Sequence, residues 1–171
     1  MTTLWEFWKP TIAAINGLAT GAGMDLSLVC DMRIMSDKAK ICQAYTNIGI
    51  IPVDGGMFHL PRMVGLGKAY ELMYTGELIG ADEALRLGLT NKVVPHDQLM
   101  KEAMDMARKI AKRPSIALQM IKHMTQKALR MDFPEAIKFF YTGFELAVKT
   151  EDHLEGVKAI LEKRPPEFTG R

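Results

Sequence analysis

The sequence predicts an α/β fold followed by a helical tail, and three observations predict it. Short apolar runs alternate with helix-spaced stretches as far as Pro95, the pattern of an α/β layer. From residue 96 onward apolar positions recur only at helical spacing, with prolines where first turns begin. The composition is that of an ordinary folded domain: 171 residues, 48% hydrophobic and 25% charged, with 22 Lys+Arg against 20 Asp+Glu for a net charge of +2. Those proportions exclude an unfolded segment, and no apolar run reaches the roughly twenty residues of a membrane span. So balanced a charge offers no basic face to a phosphate backbone, and nucleic acid is not an expected partner. Cys30 and Cys42 stand singly in apolar stretches, unlike a disulfide framework or a paired zinc motif. The opening MTTLWEFWKP lacks the basic flank and apolar core of an export signal, so a reducing cytoplasm is the expected compartment.

In residues 1–95, Thr11 to Asn16 (TIAAIN) reads as a strand entering a turn at Asn16-Gly17. Glycines 17, 21 and 23 then lead into a short helix whose buried side is Met24, Leu26, Leu28 and Val29. Asp31 to Ser36 and Lys40 to Ala44 read as strands, IIPVDGG as a loop, and MFHLPRMVG as a helix ending near Gly65. Leu66 to Thr75 is helical, a further helix runs from Ala81 to Gly88, and Thr90 to Val94 is a strand closed by Pro95. Four strands are fewer than a sheet usually has, which predicts an open edge and under-covered faces. Residues 96–171 predict four helices: Asp97 to Lys112, Ser115 to Met131, Pro134 to Thr150 and Glu151 to Lys163. The third carries Phe139, Phe140, Tyr141, Phe144 and Leu146 almost all the way round, so it needs burial in a larger domain or a subunit interface. A homo-oligomer is expected.

The stretch from Gly17 to Asp25 is the most informative for chemistry. Its glycines allow the backbone to approach a ligand, and a helix starting behind them aims free N–H groups and a positive dipole end at the loop. An anion-binding corner and a tight turn made for packing are equally consistent with that spacing. The order G-x-x-x-G-x-G is not the dinucleotide fingerprint, and Gly67-Lys68 is followed by Ala69 rather than a hydroxyl residue, so neither nucleotide motif is matched. His59, His96, His123 and His153 form no catalytic or metal-binding pattern and read as surface or helix-packing residues. No metal site is expected.

The segments KPTIAAINGLATGAGMDLSLVCDMRI, AKICQAYTNIGIIPVDGG, LPRMVGLGKAYELMYTGELIGADEALRLGLTNKVVP and TEDHLEGVKAILEKRPPEFTG, taken in order, resemble the enoyl-CoA hydratase/isomerase (crotonase) family from Lys9 to Gly170. The resemblance implies an incomplete crotonase-like spiral over 1–95 and a helical oligomerisation region over 96–171, assembling as a trimer or a dimer of trimers. It implies an acyl-CoA thioester as substrate, coenzyme A entering only as part of that substrate, and no separate cofactor. In the family two backbone N–H groups hold the thioester oxygen as an enolate forms, and the second falls on Ala22. An alanine suits that place only if the backbone needs no positive φ. The implied substrate-binding positions are Thr20, Gly21, Ala22, Ala44, Tyr45 and Val53. The first donor lies in the family on a more N-terminal strand and loop without counterpart in this sequence, which implies either a fragment or a shortened member.

The family's hydratases use two glutamates, whose matching positions are Asp25 and Tyr45, so the resemblance favours double-bond isomerisation over addition of water. Asp25 reads either as an acid/base group or as a carboxylate settling the helix N-terminus. Asp54, one step later than in the P-D-x-G-G order of isomerase-like members, either faces the pocket or caps the next helix. For Tyr45, packing is the preferred reading over a hydrogen bond to substrate. Two alternatives stand beside the isomerase: a catalytically silent oligomerisation or CoA-binding module, and a CoA-ester hydrolase or decarboxylase using the same corner.

Overall fold

A computed structural model describes residues 1–171. The chain falls into two compact units, one of residues 1–5 and 11–106, the other of residues 6–10 and 107–171.

The first unit begins with α1 (Thr2–Trp5) and β1 (Ile12–Ile15). It continues through β2 (Leu18–Thr20), α2 (Ala22–Val29), β3 (Met32–Ser36) and β4 (Lys40–Cys42). A 3₁₀ turn, Ala44–Ile48, leads to α3 (Gly56–Val64) and α4 (Leu66–Thr75). After β5 (Ile79–Gly80), α5 (Ala81–Arg86) and β6 (Lys92–Val94), α6 (Leu99–Ala111) starts within this unit. Six strands replace the four expected, and they form two sheets. One is parallel in the order β1-β3-β6, with Ala13 opposite Arg33 and Met35 opposite Val93. The other has the order β2-β4-β5, with β2 parallel to β4 and β5 antiparallel. The strand expected over 40–44 ends at Cys42 because Ala44 opens the 3₁₀ turn.

Between these elements lies a core of Ile15, Met24, Leu28, Met35, Ile41, Leu60, Leu72 and Leu89. Ile34 and Val94 pack with Leu99 and Ala103 of α6, which keeps residues 96–106 with the strands rather than with the later helices, as a boundary at 95/96 would have it. Arg33 is buried in β3 without a carboxylate across from it. Its guanidinium donates instead to the Leu89 carbonyl (2.8 Å) and to the carbonyls of Cys30 (2.8 Å) and Ser27 (3.3 Å) at the end of α2. The last carbonyls of a helix are its negative pole, so a cation there is well placed. Burial lowers the Arg33 pKa against the opposing pull of Asp31.

The second unit consists of the end of α6, α7 (Ser115–Ala128), α8 (Phe133–Ala147) and α9 (Glu151–Leu161). Asp132 caps α8 by accepting from the Glu135 N–H, and Thr150 caps α9 through the His153 N–H. A side chain at Gly143 would overlap the Met124 thioether, so α7 and α8 pack closely at this glycine. The tail folds back on α9: Asp152 is buried and accepts from the N–H groups of Thr169 (2.7 Å) and Gly170 (2.9 Å). Within this single chain only Ala136 and Gly143 of α8 are buried, and Phe133, Tyr141 and Phe144 are exposed.

Candidate active site

The site is built on the turn between β2 and α2. Gly21 has φ 51 and ψ −119, a conformation L side chains rarely adopt, and its N–H donates to the Cys42 carbonyl at 2.9 Å. Gly17 and Gly23 do not share this conformation, so a single glycine, not three, makes the turn. Ala22 follows as the first residue of α2 with an ordinary φ, which is why alanine is tolerated there. The first amide bonded back into α2 is that of Asp25, to the Gly21 carbonyl at 3.0 Å. The Ala22 N–H therefore belongs to the opening turn, where N–H groups lack intrahelical acceptors, and Ala22 itself is exposed. A donor fixed in this way at a helix start is suited to receive developing negative charge.

One turn further on, Asp25 is completely buried. Its carboxylate does not cap α2. Oδ1 accepts from Gln43 Nε2 at 2.6 Å, and Oδ2 accepts from the Tyr45 hydroxyl at 2.9 Å. Tyr45 is buried, and the 3₁₀ turn also brings its phenol over to the helix. The same hydroxyl lies 3.4 Å from Asp54 Oδ2, and Asp54 makes no cap on α3, whose preceding residue Gly55 has no side chain to do so. Asp54 is half-buried, so of the two carboxylates it alone reaches the surface.

Two close approaches hold this arrangement. The Tyr45 ring lies 3.6 Å from where a Cβ on Gly21 would stand. A Cβ on Gly56 would collide with Asp25 Oδ1 and with the Gln43 amide, so the start of α3 presses directly on the carboxylate. Gln43 was not singled out from the sequence, although its place two residues before Tyr45, the position matching the hydratases' second glutamate, was the available signal. Having given its NH₂ to Asp25, its buried Oε1 has no partner. Burial first, then the hydrogen bond to Asp25, pushes the Tyr45 phenol well above its usual range and keeps it protonated. His59 on α3 is buried beside the Trp5 and Phe58 rings. Burial, reinforced by Arg62 and Arg33 and opposed by Asp25, lowers its pKa and favours the neutral imidazole.

Thus Gly21, Ala22, Asp25, Tyr45 and Asp54 come together. Thr20 at the end of β2 and Val53 before Asp54 are exposed, and Ala44 starts the 3₁₀ turn; none of the three touches the carboxylate network. No three His, Cys, Asp or Glu side chains are grouped to hold a metal ion. No helix is long and apolar enough to cross a membrane.

The sequence model described as enoyl-CoA hydratase/isomerase matches residues 1–171. The chain belongs to the enoyl-CoA hydratase/isomerase family. Its fold is accordingly the crotonase-like α/β fold, and it superposes on an enoyl-CoA hydratase from Bacillus anthracis with a TM-score of 0.97 and 39% identity, covering 99% of this chain and 66% of that one. Among curated relatives it is 40% identical over 163 residues to a crotonyl-CoA hydratase of Syntrophomonas wolfei, covering 95% of this chain and 63% of the relative. It is 37% identical over 175 residues to a carnitinyl-CoA dehydratase of Proteus mirabilis, covering 100% of this chain and 67% of the relative. The chain spans 63% of the first of these relatives and 60% of a short-chain-enoyl-CoA hydratase of Clostridium acetobutylicum.

Proposed function

We propose that the chain serves an acyl-CoA enzyme that stabilises a thioester enolate, with the Ala22 N–H on the carbonyl oxygen and the Asp25 and Asp54 carboxylates handling the proton. The observation that carries this reading is the pairing, on one helix, of an opening-turn amide with a buried carboxylate one turn behind it, linked through Tyr45 to a second carboxylate. A backbone donor preorganised at the forming oxyanion is worth about 3 kcal/mol of barrier. In this scheme a carboxylate takes the proton next to the thioester carbonyl, the electron pair enters the enolate, and the proton returns at the other end of the allylic system. The double bond migrates and nothing is added. With tyrosine in place of the second glutamate, the site has one carboxylate hydrogen-bonded to a phenol and a second 3.4 Å from the same oxygen, which suits moving one proton more than orienting a water.

Hydration is the second reading, favoured by the printed names of the relatives, which are hydratases and a dehydratase. The exposed apolar faces of α8 and α9 support a homo-oligomer, trimer or dimer of trimers, and a cytoplasmic location remains part of the proposal. To test it, 3-enoyl-CoA and 2-enoyl-CoA esters are offered separately to the purified protein, wild type and Asp25→Asn. Appearance of the conjugated enoyl band from the 3-enoyl ester, lost in the variant, supports isomerisation. Loss of that band from the 2-enoyl ester with gain of one water in product mass supports hydration. Saturable binding of neither ester overturns both readings.

A further inference from the structure

We infer that Tyr45 is a proton relay between a surface carboxylate, Asp54, and a sealed one, Asp25, so that the proton taken from the substrate is held inside the protein until it is returned. The inference rests on the function proposed above and deepens it. Asp25 has no exposed surface, its Oδ1 is occupied by an amide NH₂, and its Oδ2 meets only the Tyr45 hydroxyl. A proton therefore enters or leaves Asp25 through that hydroxyl. Asp54 is half-buried and is the member of the trio open to a substrate.

The two distances fit this direction of travel. A phenol has one hydrogen, and it is given to Asp25 at 2.9 Å. The ionised Asp54 then faces the phenol oxygen with no hydrogen between them, and the 3.4 Å separation is too long for an O–H···O bond. Once Asp54 takes a proton from the substrate carbon it becomes the donor this contact lacks. Its O–H passes to the Tyr45 oxygen as the tyrosine O–H passes to Asp25 Oδ2. One O–H bond breaks and one forms at the phenol, Asp54 returns to carboxylate, Asp25 becomes the acid, and no electron is gained or lost. The reverse sequence delivers the proton to the new carbon. Tyr45 stays neutral before and after, in keeping with a phenol whose ionisation burial opposes. His59 on α3 is held toward its neutral form by burial, so it adds no positive charge beside Asp25.

The experiment is isomerisation of a 3-enoyl-CoA in deuterium oxide, with the deuterium in the product read by mass spectrometry. Wild type is expected to return mostly substrate protium. Tyr45→Phe keeps the ring under Gly21 but strands the proton on half-exposed Asp54, so solvent deuterium in the product should rise several-fold. Asp25→Asn turns over far more slowly, and the little product it forms should likewise carry more deuterium, with the double variant raising the deuterium fraction no further than either. Equal deuterium in wild type and Tyr45→Phe overturns the relay and leaves the proposed function standing. A second arm needs no turnover: ¹³Cγ resonances of Asp25 and Asp54 should share their titration steps in the free wild-type protein and separate in Tyr45→Phe. Independent titration in wild type overturns the relay whether or not the chain turns over.

Discussion

The two units of this chain solve opposite problems. The first buries groups that dislike burial: Asp25, Arg33, Gln43 and Ser36 are all at most 6% exposed, Asp25 held by Gln43 and Tyr45, Arg33 by three carbonyls, Gln43 through its NH₂ by Asp25, and Ser36 beside His96. The second buries almost nothing, only Ala136, Gly143, Asp152 and Ala159, while Phe133, Ile160 and Leu161 are each more than three-quarters exposed. Polar burial is costly unless satisfied, so its concentration in one unit marks where chemistry is held in place. The aromatic and aliphatic faces of the second unit's helices stay exposed in the single chain.

The comparison is open to attack from either side. The largest effect belongs to the site: Asp25→Asn is expected to lower isomerisation about 10²- to 10⁴-fold, the usual worth of a positioned acid/base group. Steady-state kinetics on a 3-enoyl-CoA checks it, and an unchanged rate would remove Asp25 from the mechanism. Next comes Arg33→Met, which strands the carbonyls of Leu89, Cys30 and Ser27 and should cost about 3 kcal/mol or more in urea unfolding. Phe144→Ser or Ile160→Ser in the other unit should stay within about 0.5 kcal/mol in the monomer, while lowering any self-association seen by sedimentation. Equal costs in the two units would end the contrast. Gly56→Ala forces the start of α3 away from Asp25 and should cost about 1–3 kcal/mol, read by thermal melting.

The smallest effects are in pH. Burial holds His59 below its ordinary 6.5, so its contribution to stability is complete above that value and is lost as pH falls through the lower folded one. The Glu155 carboxyl is held at about 2, first by the Arg164 guanidinium and then by the Glu167 N–H. Its contribution is complete above 4.5 and is lost as pH falls through about 2. Acid titration followed by hydrogen exchange should therefore loosen the amides around His59 before those of the tail, and Glu155→Gln should abolish the second step. Tail amides that open first would contradict the assignment.

What could be read from the sequence was set by the range of the interactions involved. Leu66–Thr75 and Ser115–Ala128 carry their helical period within a few residues; the first lies where that period places it, and the second starts at the predicted Ser115 but stops at Ala128 rather than Met131. The strands Leu18–Thr20 and Ile79–Gly80 were missed because two or three residues show no alternation, and each exists only through its pairing to Lys40–Cys42. At the site, motif order named the Ala22 corner, Asp25 and Asp54 as candidates, and the structure brings Asp25 and Asp54 to either side of the Tyr45 hydroxyl. The role of that hydroxyl was not legible, because its reach to a carboxylate twenty residues earlier depends on a 3₁₀ turn that no local pattern announces. Arg33 was equally silent: a lone cation in a strand reads as solvated until the carbonyls at the end of α2 and the distant Leu89 carbonyl close around it.

The central claim is that the amide of Ala22 meets the oxygen of a CoA thioester, and the carbonyl itself reports this. An enoyl-CoA labelled with ¹³C at the thioester carbonyl, bound to the protein, should show its infrared stretch moved to lower wavenumber as the hydrogen bond polarises it. A stretch at the free-ligand position in a saturated complex would contradict the account.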